Sequence, residues 1–393
     1  MHRISCRLLF CLAATLGLAT SVAANDLQIR IGYLGHLPPR GPLLSNVIPE
    51  PTDAGRRGAE LAIADSNSTG RFLKQSYSLE AAESEDAATL LATADDLHAQ
   101  GIRLFVINAP AATLRQLSQR LPDSLLLNAG SADDGLRRAQ CLGNVLHTLP
   151  SRAMLADALA QFLAVRKWTR WLLVTGNTED DLAYADALKR AAKRFGHKIV
   201  AEKPWSFDND QRRSAQAEMP LFTQASEYDV VLVADERGDF GEYLPYNTWY
   251  PRPVAGTQGL TATAWHKTVE TFGAAQLQKR FEALAGRWMN DRDFAAWMAV
   301  RSLATAITKQ RAAEPQGIRH LLLNEQLPLD GFKGRKLSFR PWNGELRQPI
   351  PLVHPRALVS TSPQEGFLHP SNEMDSLGYD RPEVSCDLAG TPL

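Results

Sequence analysis

The stretch Gly58-Ala-Glu-Leu-Ala-Ile-Ala-Asp-Ser-Asn-Ser-Thr-Gly70, set within Leu27–Arg71, decides how the chain reads. Leu27–Leu34 alternates like a first strand, and the Gly/Pro-rich loop His36-Leu-Pro-Pro-Arg-Gly-Pro42 interrupts it. Asp53 is placed to cap a helix in which Ala59, Leu61, Ala62 and Ile63 sit close to helical spacing. Asn67 and Gly70, residue types that tolerate a left-handed stop, end it. Ser76–Leu79 then reads as the next strand, which makes a βαβ opening to a parallel sheet.

Downstream the alternation continues. Ala87–Ala99 and Ala112–Arg120 read as helices, Arg103–Ile107 and Ser124–Leu127 as strands. After Val145–Leu149, Ser151 can cap a long helix, Ala153–Arg166, and the pattern restarts. Strands are expected at Trp171–Val174, Lys198–Glu202 and Asp229–Ala234, with helices at Asp181–Phe195 and through Ala215–Ala225. Helices over Thr268–Arg287 and Asp293–Lys309 follow, then strand-like runs at Leu321–Ser338 and Pro349–Val353. From about Ser360 the chain is rich in Pro, Ser and Gly and reads as an irregular arm. With 393 residues the chain exceeds one ordinary core. The fold class expected is α/β in two lobes, each a mainly parallel sheet flanked by helices.

Residues 1–24 read as a cleaved secretory leader. Arg3 and Arg7 precede the apolar run Leu8–Leu18 and the small-residue site Val22-Ala23-Ala24. That run is too short to span a bilayer, so a mature periplasmic protein is expected. The leader removes Cys6 and Cys11. Cys141 and Cys386 remain as an even pair in an oxidising compartment, and a disulfide between them is expected to fasten the C-terminal arm to the body. The formal charge is zero before the leader is lost, with no acidic or basic block, so neither nucleic acid nor a membrane surface is indicated as partner. No nucleophile elbow, phosphate loop, dinucleotide fingerprint or zinc spacing occurs in the sequence. An enzyme whose groups converge only in space stays open; nothing in the motifs argues for one.

In open parallel sheets ligands sit beyond the carboxyl ends of the strands. Here those ends are Asn108-Ala-Pro, Asn128-Ala-Gly-Ser131, Thr175 through Asp180 and Asp181, Asp235 through Asp239, and Thr257-Gln258-Gly259. Each could equally be an ordinary turn.

The pattern G-x-x-x-A-I-x-D-x-N-x-x-G of Gly58–Gly70 resembles the first helix of the leucine/isoleucine/valine-type periplasmic binding proteins, the type I solute receptors of ABC importers. Phe294–Ile307 is similar to the helix by which that family returns to its first lobe. The resemblance covers about Leu27 to Gly344. It implies lobe 1 from 25–147 and 260–318, lobe 2 from 148–259 and 319–359, and an arm at 360–393. It also implies a monomeric, non-enzymatic receptor that needs no cofactor, closes over a small molecule and works with importer membrane subunits. In the amino-acid receptors a second-lobe Glu holds the ligand ammonium; the matching position here is Gln258, and Arg237 falls where relatives carry an aromatic ring. A neutral amide repays little of the cost of burying an ammonium, whereas Arg suits a planar carboxylate. The cleft therefore reads as rebuilt for an anion, with Arg40, Asn108, Asn128, Ser131, Asp180, Arg237, Gln258, Trp265 and Trp297 as candidate ligand residues. Trp249 and Tyr250 stand in a further aromatic loop.

Four stretches together, Gly58–Leu73, Asp133–Leu163, Phe272–Leu284 and Asp293–Leu303, resemble the binding proteins associated with pyrroloquinoline quinone (PQQ)-dependent alcohol dehydrogenase systems. That resemblance implies PQQ, a flat polyanion, or another small molecule of alcohol oxidation: an alcohol, aldehyde or carboxylate. A sensor module that presents its ligand-bound form to a membrane kinase is a further reading.

Overall fold

The computed structural model describes residues 26–39, 48–205, 218–325 and 327–390. The expected leader and Arg40 lie outside the described residues. The first lobe builds from β1 (Leu27–His36), α1 (Arg56–Leu73), β2 (Gln75–Ser84), α2 (Ala87–Ala99), β3 (Leu104–Asn108), α3 (Ala111–Arg120), β4 (Leu125–Asn128), the short α4 (Gly135–Arg138) and β5 (Val145–His147). Its five strands are parallel in the order β2-β1-β3-β4-β5.

The deciding helix forms for a different reason at its start than the sequence suggests. Gly55, not Asp53, occupies the N-cap and offers no side-chain bond. Asp53 instead pairs with Arg57 and Arg287 at 3.1 and 2.9 Å. The helix also runs past Gly70 to Leu73, where Lys74 takes the left-handed turn, and Asn67 pins β2 through both backbone groups of Tyr77. Gly58 has a packing role: a Cβ there would lie 1.9 Å from the carbonyl oxygen of Asp293. Only glycine lets the start of α1 approach that backbone so closely.

The second lobe follows with α5 (Arg152–Val165), β6 (Arg170–Thr175), α6 (Glu179–Phe195), β7 (Lys198–Pro204), β8 (Val230–Ala234), β9 (Val254–Gly256) and β10 (Leu260–Ala262). Ser151 caps α5 through Met154 N–H at 3.1 Å, as expected from the sequence. The chain then passes through α7 (Ala274–Ala285), α8 (Asp291–Gln310) and α9 (Pro315–Leu323), and through the small strands β11 (Leu329–Asp330), β12 (Lys336–Phe339) and β13 (Leu346–Arg347). It ends in β14 (Ile350–His354) and β15 (Ala357–Ser362), antiparallel additions to a seven-stranded sheet ordered β15-β14-β10-β9-β8-β6-β7. Along β6, Trp171 and Leu173 enter one apolar cluster while Leu172 and Val174 enter another. Burial on both faces explains why this strand reads as an unbroken apolar run.

Two expected lobe boundaries shift. Leu260–Ala262 stays in the second sheet, bonded to β9 and β14. Residues 319–346, assigned to lobe 2 from the sequence, pack into the first core: Leu322, Leu337, Phe339 and Leu346 share one cluster with Val106, Leu127, Met298 and Ile307. Their apolar faces need the surface of α8, and that requirement overrides proximity in sequence to β14. The expected helix from Thr268 is likewise confined to α7, because Phe272 and Gly273 both have positive φ just before it.

The chain therefore crosses between lobes near 148–151, 262–264 and 347–350. The crossings are bonded to one another: Gln348 Nε2 donates to Thr148 O at 3.0 Å, and Thr263 N–H to Pro351 O at 3.0 Å. Buried Lys333 donates to Gln348 Oε1 and Pro349 O at 2.5 and 3.1 Å. The C-terminal arm is more than irregular cover. Leu377 packs in the second core, Leu388 in the first, and Cys386 is disulfide-bonded to Cys141 across 245 residues, with Cα atoms 6.1 Å apart.

Candidate functional site

Chain direction locates the site. The chain leaves the first sheet at the carboxyl end of β5 and leaves the second at the carboxyl end of β10, so both carboxyl edges border the crossings. Ligands of open parallel sheets sit beyond such edges, so the loops there are the candidate walls of a cleft between the lobes.

On the first-lobe wall, His36 ends β1 with Nδ1 2.7 Å from Thr113 Oγ1. Asn108 ends β3; its Nδ2 donates to Tyr33 Oη and Ala54 O, both at 3.0 Å, and its Oδ1 accepts from Arg292 Nη1 at 3.1 Å. Arg292 reaches there from the first turn of α8 and also pairs through Nε with Glu50 at 3.0 Å. Among the described residues Nη2 makes no hydrogen bond. Asn128 is consumed locally: its Oδ1 caps Gly130 and Ser131 N–H, while Nδ2 donates to Ser131 O and His147 Nδ1. Burial pushes the His147 pKa well below its ordinary value, so this ring is a neutral acceptor. Ser131 is buried and holds Asp133 N–H at 3.3 Å.

On the second-lobe wall, Asp235 organises the loop after β8 by accepting four backbone N–H bonds, from Gly238 to Gly241, at 2.7–3.0 Å. Arg237 stands on that loop, about half exposed, with Nε 2.7 Å from Asp239 Oδ2; among the described residues neither Nη makes a hydrogen bond. Gln258 lies beneath it. Its amide donates to Asp235 O at 3.3 Å and its oxygen takes the Thr257 hydroxyl, so it braces the loop rather than facing a ligand. Asp180, at the start of α6, pairs with Arg152 at 2.6 Å. Arg152 also grips Glu236 bidentately at 2.6 and 2.7 Å. Burial opposes the Arg152 charge, but the Glu236 contacts outweigh it and raise its pKa; burial holds the Glu236 pKa up.

Trp265 and Trp297 belong to the first-lobe core, not to the cleft. Trp265 is 1 % exposed, stacks on Phe294 at 4.7 Å and donates to Gln278 at 3.2 Å. Trp297 is 2 % exposed and donates to Asp65 Oδ2 at 3.0 Å. The structure thus sets Asn108 and Asp180 against the arginines and leaves Arg237 open, while Asn128, Ser131 and Gln258 serve the loops. Sequence reasoning missed Arg152, Glu236, Arg292 and His36. Two signals point to the arginines: Arg152 directly follows the Ser151 cap at a crossing, and Arg292 lies inside the Asn290–Asp293 capping box of α8. Among the described residues no group of His, Cys, Asp or Glu is arranged to hold a metal ion, and no helix is long and apolar enough to cross a membrane.

The family model described as periplasmic binding protein matches residues 41–243, more than half of the chain. No curated protein matches the sequence significantly. Among solved structures, a periplasmic binding protein from Burkholderia mallei is similar at TM-score 0.67 and 14% identity, covering 92% of this chain and 99% of its own. A branched-chain amino acid ABC transporter periplasmic ligand-binding protein from Burkholderia xenovorans matches at TM-score 0.68 and 15% identity, over 85% and 95% of the two chains. A solute binding protein of an ABC transporter from Rhodopseudomonas palustris, in complex with 3,4-dihydroxybenzoic acid, matches at 0.63 and 10%, over 83% and 93%. At these identities the structures speak to fold alone, and they have the same two-lobed α/β architecture. Family match and fold agree: the chain belongs to the periplasmic binding protein family.

Proposed function

We propose that this receptor closes its lobes over a small carboxylate-bearing molecule, with PQQ as the first candidate, and delivers it to an ABC importer. The supporting observation is the pair Arg292 and Arg237, one at each lobe's carboxyl edge, each with an Nη that makes no hydrogen bond among the described residues. A ligand with two or more carboxylates can engage both guanidiniums only when the lobes are together, so its binding energy stabilises the closed state. The specific choice of PQQ rests on the sequence stretches that resemble PQQ-associated binding proteins. The burial of Trp265 and Trp297 removes the stacking faces that would favour a flat ring, and this supports a second reading, a simple carboxylate product of alcohol oxidation.

Calorimetric titration of the mature protein with PQQ, 3,4-dihydroxybenzoate, acetate and leucine separates these readings. Saturable one-to-one binding of PQQ, weakened about tenfold or more in Arg237→Gln with an unchanged melting temperature, is the expected result. Tight binding of leucine alone overturns the assignment of an anion rather than a zwitterion.

A further inference from the structure

The aromatic loop marked in the sequence, Tyr246 to Pro253, takes no part in the cleft. It borders a cavity of about 820 Å³ in the second lobe, within the size range of small-molecule sites. The cavity lies at the opposite end of the sheet from the cleft. Val254 opens β9 there, Leu260 opens β10, and His354 closes the antiparallel β14.

The loop is held in shape by its own bonds. Asn247 Nδ2 donates to Tyr243 O at 2.9 Å, Trp249 N–H to Thr223 Oγ1 at 2.8 Å, and Arg252 N–H to Tyr250 O at 2.7 Å. Tyr250 anchors it to the core against Tyr228, 5.3 Å between ring centres. The neighbouring Trp249 lines the cavity and remains 46 % exposed, and Tyr246 lines it while 92 % exposed. Tyr246 also has φ 70°, a left-handed conformation that costs a β-carbon-bearing residue strain. The fold thus spends backbone energy to hold two aromatic side chains at a cavity mouth, where neither gains full burial. Trp168 supplies a third ring, set edge-on to Phe162 at 6.5 Å.

Among the described residues lining this space there is no carboxylate, and the charged ones are Arg166 and Arg252. Arg166 has no carboxylate partner among the described residues; its guanidinium lies 5.2 Å over the Phe162 ring. Arg252 has a long contact to Glu227 at 3.4 Å, and His354 also lines the space. Aromatic walls with a basic rim recognise a ring that carries a negative charge, the ring by stacking and the charge by the guanidiniums.

We infer that this cavity is a second ligand site that takes a small aromatic anion within one lobe, independently of the cleft. The probes are 2-naphthoate and its neutral analogue 2-naphthylmethanol, titrated into the full mature protein and followed by calorimetry and tryptophan fluorescence. Expected are saturable naphthoate binding, much weaker binding of the alcohol, and about a tenfold loss in Trp249→Ala. The double variant Arg166→Gln/Arg252→Gln, on exposed side chains, should erase the preference for the anion while leaving the melting temperature in place. Arg292→Gln and Arg237→Gln should leave naphthoate binding unchanged. Absence of saturable binding overturns the inference, as does equal affinity for the alcohol. Loss of binding in the two cleft variants but not in Trp249→Ala also overturns it, because the anion would then occupy the cleft. The Arg166/Arg252 double variant decides the matter should Trp249→Ala fail to fold.

Discussion

Arg237, Gln258 and Trp297 were singled out by the same sequence reading and end in three different environments. The reading located the loops correctly, because a loop after a parallel strand is legible from the strand. It could not say which side chain of a loop faces the ligand, since that depends on partners distant in sequence. Gln258 is taken up by Asp235 O and Thr257, and Arg292 reaches Asn108 from 184 residues away. Trp297 resembled a cleft residue only by position on the returning helix; its indole N–H is committed to Asp65, the acidic residue of the deciding motif. Trp297→Ala should therefore cost stability, about 3–5 kcal/mol by analogy with other buried aromatic truncations, and should not selectively weaken ligand binding. Urea unfolding and a ligand titration on the same variant check this. A binding defect at unchanged stability would return Trp297 to the site.

At the scale of elements, α1, β3, β4, β6 and β8 were readable because each has a strong period or an apolar run bounded by turns. The stretch 319–346 was not, because its allegiance to the first core is a matter of which surface its apolar residues cover. The C-terminal arm was read as a fastening, and its disulfide links the first-lobe loop at Cys141 to a segment that also packs on α5 and α6. Cys386→Ser should lower stability by about 2–5 kcal/mol in thermal or urea unfolding, and reductant should have the same effect on the native protein but none on the variant. Among the crossings, burial pushes the Lys333 ammonium down to about 7 from an ordinary value of 10.5, with Asp291 partly opposing the shift. The folded state thus releases this proton near pH 7 while the unfolded chain keeps it to about 10.4. The contribution of Lys333 to stability rises with pH through that window and is lost as pH falls through 7. In Lys333→Met the rise in stability between about pH 7 and 9.5 should flatten, read from urea midpoints. An unaltered slope would mean that another group titrates.

For the whole molecule, three bonded crossings and a disulfide-fastened arm leave the two sheets facing each other across their carboxyl edges. Two-lobed organisation was the most legible feature of the sequence, since the strand–helix alternation stops and restarts near Ser151. A ligand held by both walls must favour the closed arrangement, and it raises the melting temperature as the logarithm of its concentration above Kd. An anion in the second-lobe cavity touches one lobe only and has no such leverage. Small-angle X-ray scattering of the mature protein with and without saturating PQQ, with leucine as control, is therefore the most direct test. PQQ should lower the radius of gyration, leucine should not, and Trp249→Ala should still compact. Binding of PQQ with no compaction, or compaction by leucine alone, would contradict a cleft that closes over an anion rather than a zwitterion.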